Sequence, residues 1–94
     1  MKRTDEQILA GYLDGERLKT IPSKLSKKLV VLRWLSERFE PGVIYDEPQV
    51  NAIIREVHED FATLRRDLYD YYLLDRKDGR YWRRESADDP QGKA

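Results

Sequence analysis

Cysteine is absent from the 94 residues, and histidine occurs once. Without cysteine there is no disulfide framework, no thiolate metal site and no sulfur nucleophile. The five glycines form no phosphate-cradling loop, and no serine has a plausible His–acid set around it. The sequence therefore predicts a non-enzyme, with no catalytic residues, no metal and no cofactor. An excess of either charge is also missing, since 18 basic residues balance 18 acidic ones. No apolar run approaches the roughly 20 residues of a membrane span. The opening Met1-Lys2-Arg3-Thr4-Asp5-Glu6 lacks the apolar core of a signal peptide. A cytoplasmic protein without membrane contact is the expectation.

What is present is a normal apolar fraction, 39%, under a heavily ionised surface, 38% charged, which fits a globular chain rather than a disordered one. This length makes one domain, expected over residues 4–85, with a frayed polar tail at 86–94. The charge is unevenly distributed. Arg17, Lys19, Lys24, Lys27, Lys28 and Arg33 follow one another with no acid between them. Arg76, Lys77, Arg80, Arg83 and Arg84 form a second block that contains only Asp78 as an acid. Two such blocks converging in space would make one footprint for a polyanion; left apart, they are ordinary solvated faces.

Along the chain, Thr4 and Gln7 have capping-box spacing, and Ile8, Leu9, Tyr12 and Leu13 share a helical face. Asp14-Gly15 reads as the stop of that helix. Leu18-Lys19-Thr20-Ile21 alternates up to Pro22 and reads as extended. Ser23 can cap a second helix to about Phe39, with Leu25, Leu29, Leu32 and Leu35 inward. Val43-Ile44-Tyr45 reads as a strand. Asp46 and Gln49 repeat the capping-box spacing, with Pro48 in the first turn and Tyr45 and Val50 as a hydrophobic staple. Val50, Ile53, Ile54 and Val57 line that third helix. Asp60 caps a fourth, whose apolar positions are Phe61, Leu64, Leu68, Tyr71 and Tyr72. Asp78-Gly79 between two strand-like runs is a hairpin signal, because glycine accepts the positive φ of a tight turn. Tyr81 and Trp82 must face opposite ways across that hairpin, and Trp82 is expected to cover the core.

Set aside the first helix and its linker, and the order is helix, strand, helix, helix, strand, strand. The expected fold is therefore α+β: a winged helix-turn-helix with an extra N-terminal helix and a C-terminal β-hairpin wing. The fourth helix is the candidate reader of double-stranded DNA, with Thr63, Arg66 and Tyr69 outward. Arg65 lies nearer the core side, suited to bridging a carboxylate. Lys24, Lys27 and Lys28, together with Arg76, Lys77, Arg80, Arg83 and Arg84, are the candidate phosphate contacts. The competing expectation is a protein-interaction module of the same shape, because net charge is zero and the fourth helix carries as many acids as bases. RNA binding through the Arg/aromatic hairpin is a third reading. His58 has Glu56, Glu59 and Asp60 nearby, but Glu56 points about 160° away by helical spacing. Contact with the helix end or the following turn is the better assignment for this imidazole than a metal.

Several segments together resemble a known family. They are Leu18-Lys19-Thr20-Ile21-Pro22, Leu32-Arg33-Trp34-Leu35 through Phe39-Glu40-Pro41-Gly42, Tyr45-Asp46-Glu47-Pro48-Gln49-Val50-Asn51, and His58-Glu59-Asp60. Thr63-Leu64-Arg65-Arg66-Asp67-Leu68, Leu74-Asp75-Arg76 and Tyr81-Trp82-Arg83 complete the set. Over about residues 5–85 the chain is similar to the prokaryotic family of unknown function DUF2087, which occurs alone or attached to bacterial helix-turn-helix regulators. That resemblance implies a role in transcription regulation by analogy. It equally implies a sensor or assembly module beside a separate DNA-binding domain.

Overall fold

The computed structural model describes residues 5–84. The elements are α1 (Asp5–Ala10), β1 (Leu13–Asp14), β2 (Arg17–Leu18), α2 (Leu25–Ser36), β3 (Ile44–Asp46), α3 (Glu47–Arg55), α4 (Phe61–Asp70), β4 (Leu74–Lys77) and β5 (Arg80–Arg83). The architecture is α+β, with β1 and β2 in one antiparallel ribbon and three strands in a second antiparallel sheet of order β3-β5-β4. The Thr4 cap and the 86–94 tail lie outside the described residues.

Apolar spacing decides the core. Val31, Leu32 and Leu35 of α2, Val50 and Ile54 of α3, and Leu64 and Leu68 of α4 meet Phe39, Val57, Leu73, Leu74 and Tyr81 in one buried cluster. Each such side chain contributes about 1.5–3 kcal/mol by leaving water. Leu29, expected in the centre, is only partly buried at the edge of this cluster.

Capping fixes the entry to α3. Asp46 Oδ1 accepts from Gln49 N–H at 2.9 Å, and Gln49 Oε1 accepts from Asp46 N–H at 2.8 Å. The box satisfies two otherwise orphaned donors. Asp60 opens α4 by accepting from Thr63 N–H at 3.4 Å. His58 faces the turn between the two helices, its Nδ1 accepting from Asp60 N–H at 2.9 Å.

Four local expectations are corrected. First, α1 ends at Ala10, and Asp14-Gly15 is not a helix stop. Leu13 pairs with Leu18 and Asp14 with Arg17, so Gly15, at φ +68°, turns a hairpin instead. That pairing delivers Leu18 to the core, where its N–H donates to Val57 O at 2.9 Å. Second, the N-cap of α2 is Lys24, not Ser23, and no side chain caps it. The same helix stops at Ser36. Glu37, Arg38 and Phe39 then donate to the carbonyls three residues back, a tightened turn that draws Phe39 fully inside.

Third, Tyr71 and Tyr72 are not core positions of α4. Leu73 N–H donates to Leu68 O and Tyr72 N–H to Tyr69 O, the paired bonds of a Schellman motif. The residue usually left-handed there is glycine; here it is Tyr72, at φ +67°. Leu73 and Leu74 take the buried places, and the Tyr72 side chain is left 63% exposed. Fourth, the aromatic that enters the core from the hairpin is Tyr81, 1% exposed, while Trp82 lies half-buried on the other face. The register explains this. Tyr81 stands between Tyr45 and Arg76, on the face that α4 covers, and Trp82 stands between Ile44 and Asp75. Asp78 and Gly79 both have positive φ, 55° and 78°, which matches the strand twist of a two-residue hairpin.

Candidate nucleic-acid interface

Helix α4 is the centre of the candidate surface. Leu64 and Leu68 fix its rotation by pointing into the core, so Ala62, Thr63, Arg66 and Asp70 are exposed on the opposite side. Arg66 Nε lies 3.5 Å from Asp70 Oδ2, one turn on; the Arg66 side chain is largely open to water and that of Asp70 nearly half so. Arg65 turns inward on the α3 side. It donates to Asn51 Oδ1 and stands 3.7 Å from Glu47 Oε2, the carboxylate bridge expected of it. The Tyr81 hydroxyl donates to the other oxygen, Glu47 Oε1, at 3.3 Å. Burial first, and the Glu47 carboxylate second, raise the Tyr81 pKa above 10.0, with Arg76 and Arg65 pulling the other way.

Both basic blocks touch α4, on opposite flanks. On one flank, Lys28 Nζ of α2 is 3.5 Å from Asp67 Oδ2. Lys24 is one turn earlier on the same side of α2, and Lys27 is adjacent. On the other flank, Arg76 donates to Tyr69 Oη at 2.8 Å, its guanidinium 5.0 Å from the Tyr69 ring centroid and 5.9 Å from that of Tyr81. Tyr69 is thereby half-buried between α4 and the hairpin rather than freely outward.

The hairpin residues divide. Lys77 and Arg80 flank the turn and are exposed, and their side chains form no hydrogen bond or ion pair among the described residues. The same holds for the Lys24 and Lys27 side chains. Arg83 bends back to donate to Phe39 O at 3.2 Å, tying the hairpin to the tightened turn that follows α2. Arg84 pairs with Asp75 at 3.7 Å and covers the Tyr72 ring at 5.2 Å. Arg17, in the first basic block, caps the end of α3 by donating to Arg55 O and Glu56 O. The sequence does not mark Asp67, Asp75 or Tyr72 as site residues. Only the i+5 spacing of Leu68 and Leu73 hints at the left-handed Tyr72; nothing local marks either aspartate as a partner for a distant cation.

The chain belongs to the family described as an uncharacterized protein conserved in bacteria (DUF2087), whose model matches residues 17–83. The match opens at the first residue of β2 and closes at the last of β5, so it takes in α2, α3, α4 and the three-stranded sheet and leaves out α1 and β1. No curated protein and no solved structure matches the chain.

No helix among the described residues is long and apolar enough to cross a membrane.

Proposed function

We propose that this domain is a cytoplasmic winged helix-turn-helix that binds double-stranded DNA, with α4 in the major groove and the β4–β5 hairpin on the flanking backbone. The element order from α2 to β5, with strand order β3-β5-β4, supports the fold assignment. One observation carries the functional reading: Lys28 of α2 and the hairpin arginine Arg76 contact the same helix, from its two sides, through Lys28–Asp67 and Arg76–Tyr69. Cations that abut both flanks of one exposed helix suit a duplex, whose phosphates border both edges of a groove. Arg66 is the base reader in this scheme. Its exposed pair with Asp70 is worth only about 0.3–0.5 kcal/mol, so base contact displaces it easily. Lys24, Lys27, Lys77 and Arg80 are the free phosphate contacts; Lys28, Arg76 and Arg84 act while keeping their present neighbours. Arg83 holds the hairpin in place from within. Regulation of transcription is the role that such DNA binding would serve.

The zero net charge and the acids Asp67 and Asp70 on α4 keep non-specific attraction weak. Fluorescence anisotropy with random duplex at two salt concentrations tests the reading. Binding should weaken steeply with salt, and an Arg66→Ala variant should lose a preferred site far more than random duplex. No binding to any duplex at low salt overturns it and leaves a protein-interaction module.

A further inference from the structure

Beside β4 runs a groove that the duplex reading leaves unused as a cavity. It has a volume of about 430 Å³ and lies between the end of α4 and the outer edge of the sheet. Sites for small ligands are of this size. Two tyrosine rings, Tyr69 and Tyr72, and three cations, Arg76, Lys77 and Arg84, line it. Asp75 neutralises Arg84 at 3.7 Å. Arg76 has given one of its donors to Tyr69 Oη and has others to offer. Lys77 has no ion-pair partner among the described residues, although Asp78 sits next to it at the hairpin end.

Tyr72 carries the argument. A bulky L-residue at φ +67° is strained, and glycine would close the same turn without strain. The ring does not recover that cost through burial, because it is 63% exposed. What its position achieves is an aromatic ring at the groove, with the Arg84 guanidinium over one face at 5.2 Å and the rest of the ring open to a ligand. Backbone strain that delivers an exposed ring to a groove where three cations outnumber the two carboxylates Asp75 and Asp78 suits a ligand with a flat face and a negative charge.

We propose that this groove binds a nucleotide unit, with a planar base against the Tyr72 and Tyr69 side of the groove and its phosphate on Arg76 and Lys77. A duplex hides the faces of its bases in the stack. The ligand is therefore a free nucleotide or an unpaired nucleotide within a single strand, and either offers the same base and phosphate. The site does not depend on α4 entering a major groove.

The test titrates the full chain by calorimetry with AMP, adenosine, inorganic phosphate and a short oligo(dA). AMP should bind about tenfold or more tightly than adenosine or phosphate alone, because only AMP uses both halves of the groove. Tyr72→Gly should weaken AMP binding by about tenfold or more while raising the thermal midpoint, a combination that a purely structural role cannot produce. Lys77→Ala should bring AMP down toward adenosine. Oligo(dA) no tighter than AMP identifies a free nucleotide as the ligand; oligo(dA) much tighter identifies a strand. If neither AMP nor oligo(dA) binds at millimolar concentration, or if Tyr72→Gly binds AMP as wild type does, the site is overturned. Duplex binding measured on the same protein separates the two proposals, since either can fail while the other stands.

Discussion

Lys28 Nζ reaches to 3.5 Å from Asp67 Oδ2, and that oxygen is shielded from solvent with no hydrogen bond of its own. The two are in ion-pair contact without hydrogen-bond alignment, so charge, rather than directed bonding, adds to the apolar packing of α2 on α4. Removing the cation strands a buried carboxylate oxygen. Lys28→Met should therefore destabilise the fold by about 1–3 kcal/mol. Adding Asp67→Leu to that variant should recover much of the loss, and a double-mutant cycle in urea measures the coupling. Additive single effects would show that the pair does not hold the helices together.

Leu68 is fully buried and also supplies the carbonyl that closes the Schellman turn. Leu68→Ala should cost about 2–5 kcal/mol in chemical denaturation, through lost burial and the cavity left behind. A loss under about half a kcal/mol would mean that the α4 register is wrong.

Tyr72→Gly should stabilise the domain by about 1 kcal/mol, since glycine takes φ +67° without the Cβ clash. The measurement is the denaturant midpoint at unchanged slope. A lower midpoint would show that the ring contributes more to the fold than its exposure suggests.

The two N-caps should differ. The Asp46 box has both of its bonds, at 2.9 and 2.8 Å, whereas Asp60 holds one, at 3.4 Å. Each Asp→Ala replacement should cost about 0.5–2 kcal/mol, with Asp46→Ala the larger loss. Equal losses would argue that His58, by accepting the Asp60 N–H, contributes to the second cap as well.

Tyr81 gives an alkaline signature. Its raised pKa means that the folded chain holds the phenolic proton more tightly than the unfolded chain. That stabilising contribution is complete below the unfolded value, about 10, and is lost as pH rises through the folded value. Urea midpoints taken from pH 8 upward should fall above about pH 10, and fall less in Tyr81→Phe. Parallel curves for the two proteins would remove Tyr81 as the cause.

The legible parts of the fold were those encoded within a few residues. Asp46 with Gln49, Asp60 before Phe61 and Asp78-Gly79 each satisfy or shape backbone locally, so their spacing alone marks an element boundary. The 3.6-residue period likewise showed which side of α4 is buried, and hence that Thr63 and Arg66 face out. Periodicity failed where two closures compete. Tyr71 and Tyr72 lie at i+3 and i+4 from Leu68, as a continuing helix requires, and Leu73 lies at i+5, as a Schellman turn requires. Sheet pairing of Leu74 with Arg83 decides between them, and that partner is nine residues away. The Asp14-Gly15 hairpin is hidden from local spacing for the same reason, because its pairing with Arg17 and Leu18 only acquires value once Leu18 meets Val57. Within the candidate site, the sequence could nominate cations but not their neighbours. Lys28 with Asp67 and Arg83 with the Phe39 carbonyl join segments about forty residues apart.

The strand order β3-β5-β4 makes the order of synthesis and the order of assembly run against each other. β5 is the last strand along the described chain but occupies the middle of the sheet, bonding to β3 and β4 on its two sides. Until Arg80–Arg83 has left the ribosome, β3 has no partner within the sheet, and Tyr81 is missing from the buried cluster. Helices α2, α3 and α4 emerge first and can pack on one another, but the side of their cluster that Tyr81 fills stays open until the last strand arrives. A nascent chain halted just before Arg80 should therefore be a substrate for proteases and chaperones, and one released a few residues beyond Arg83 should resist them.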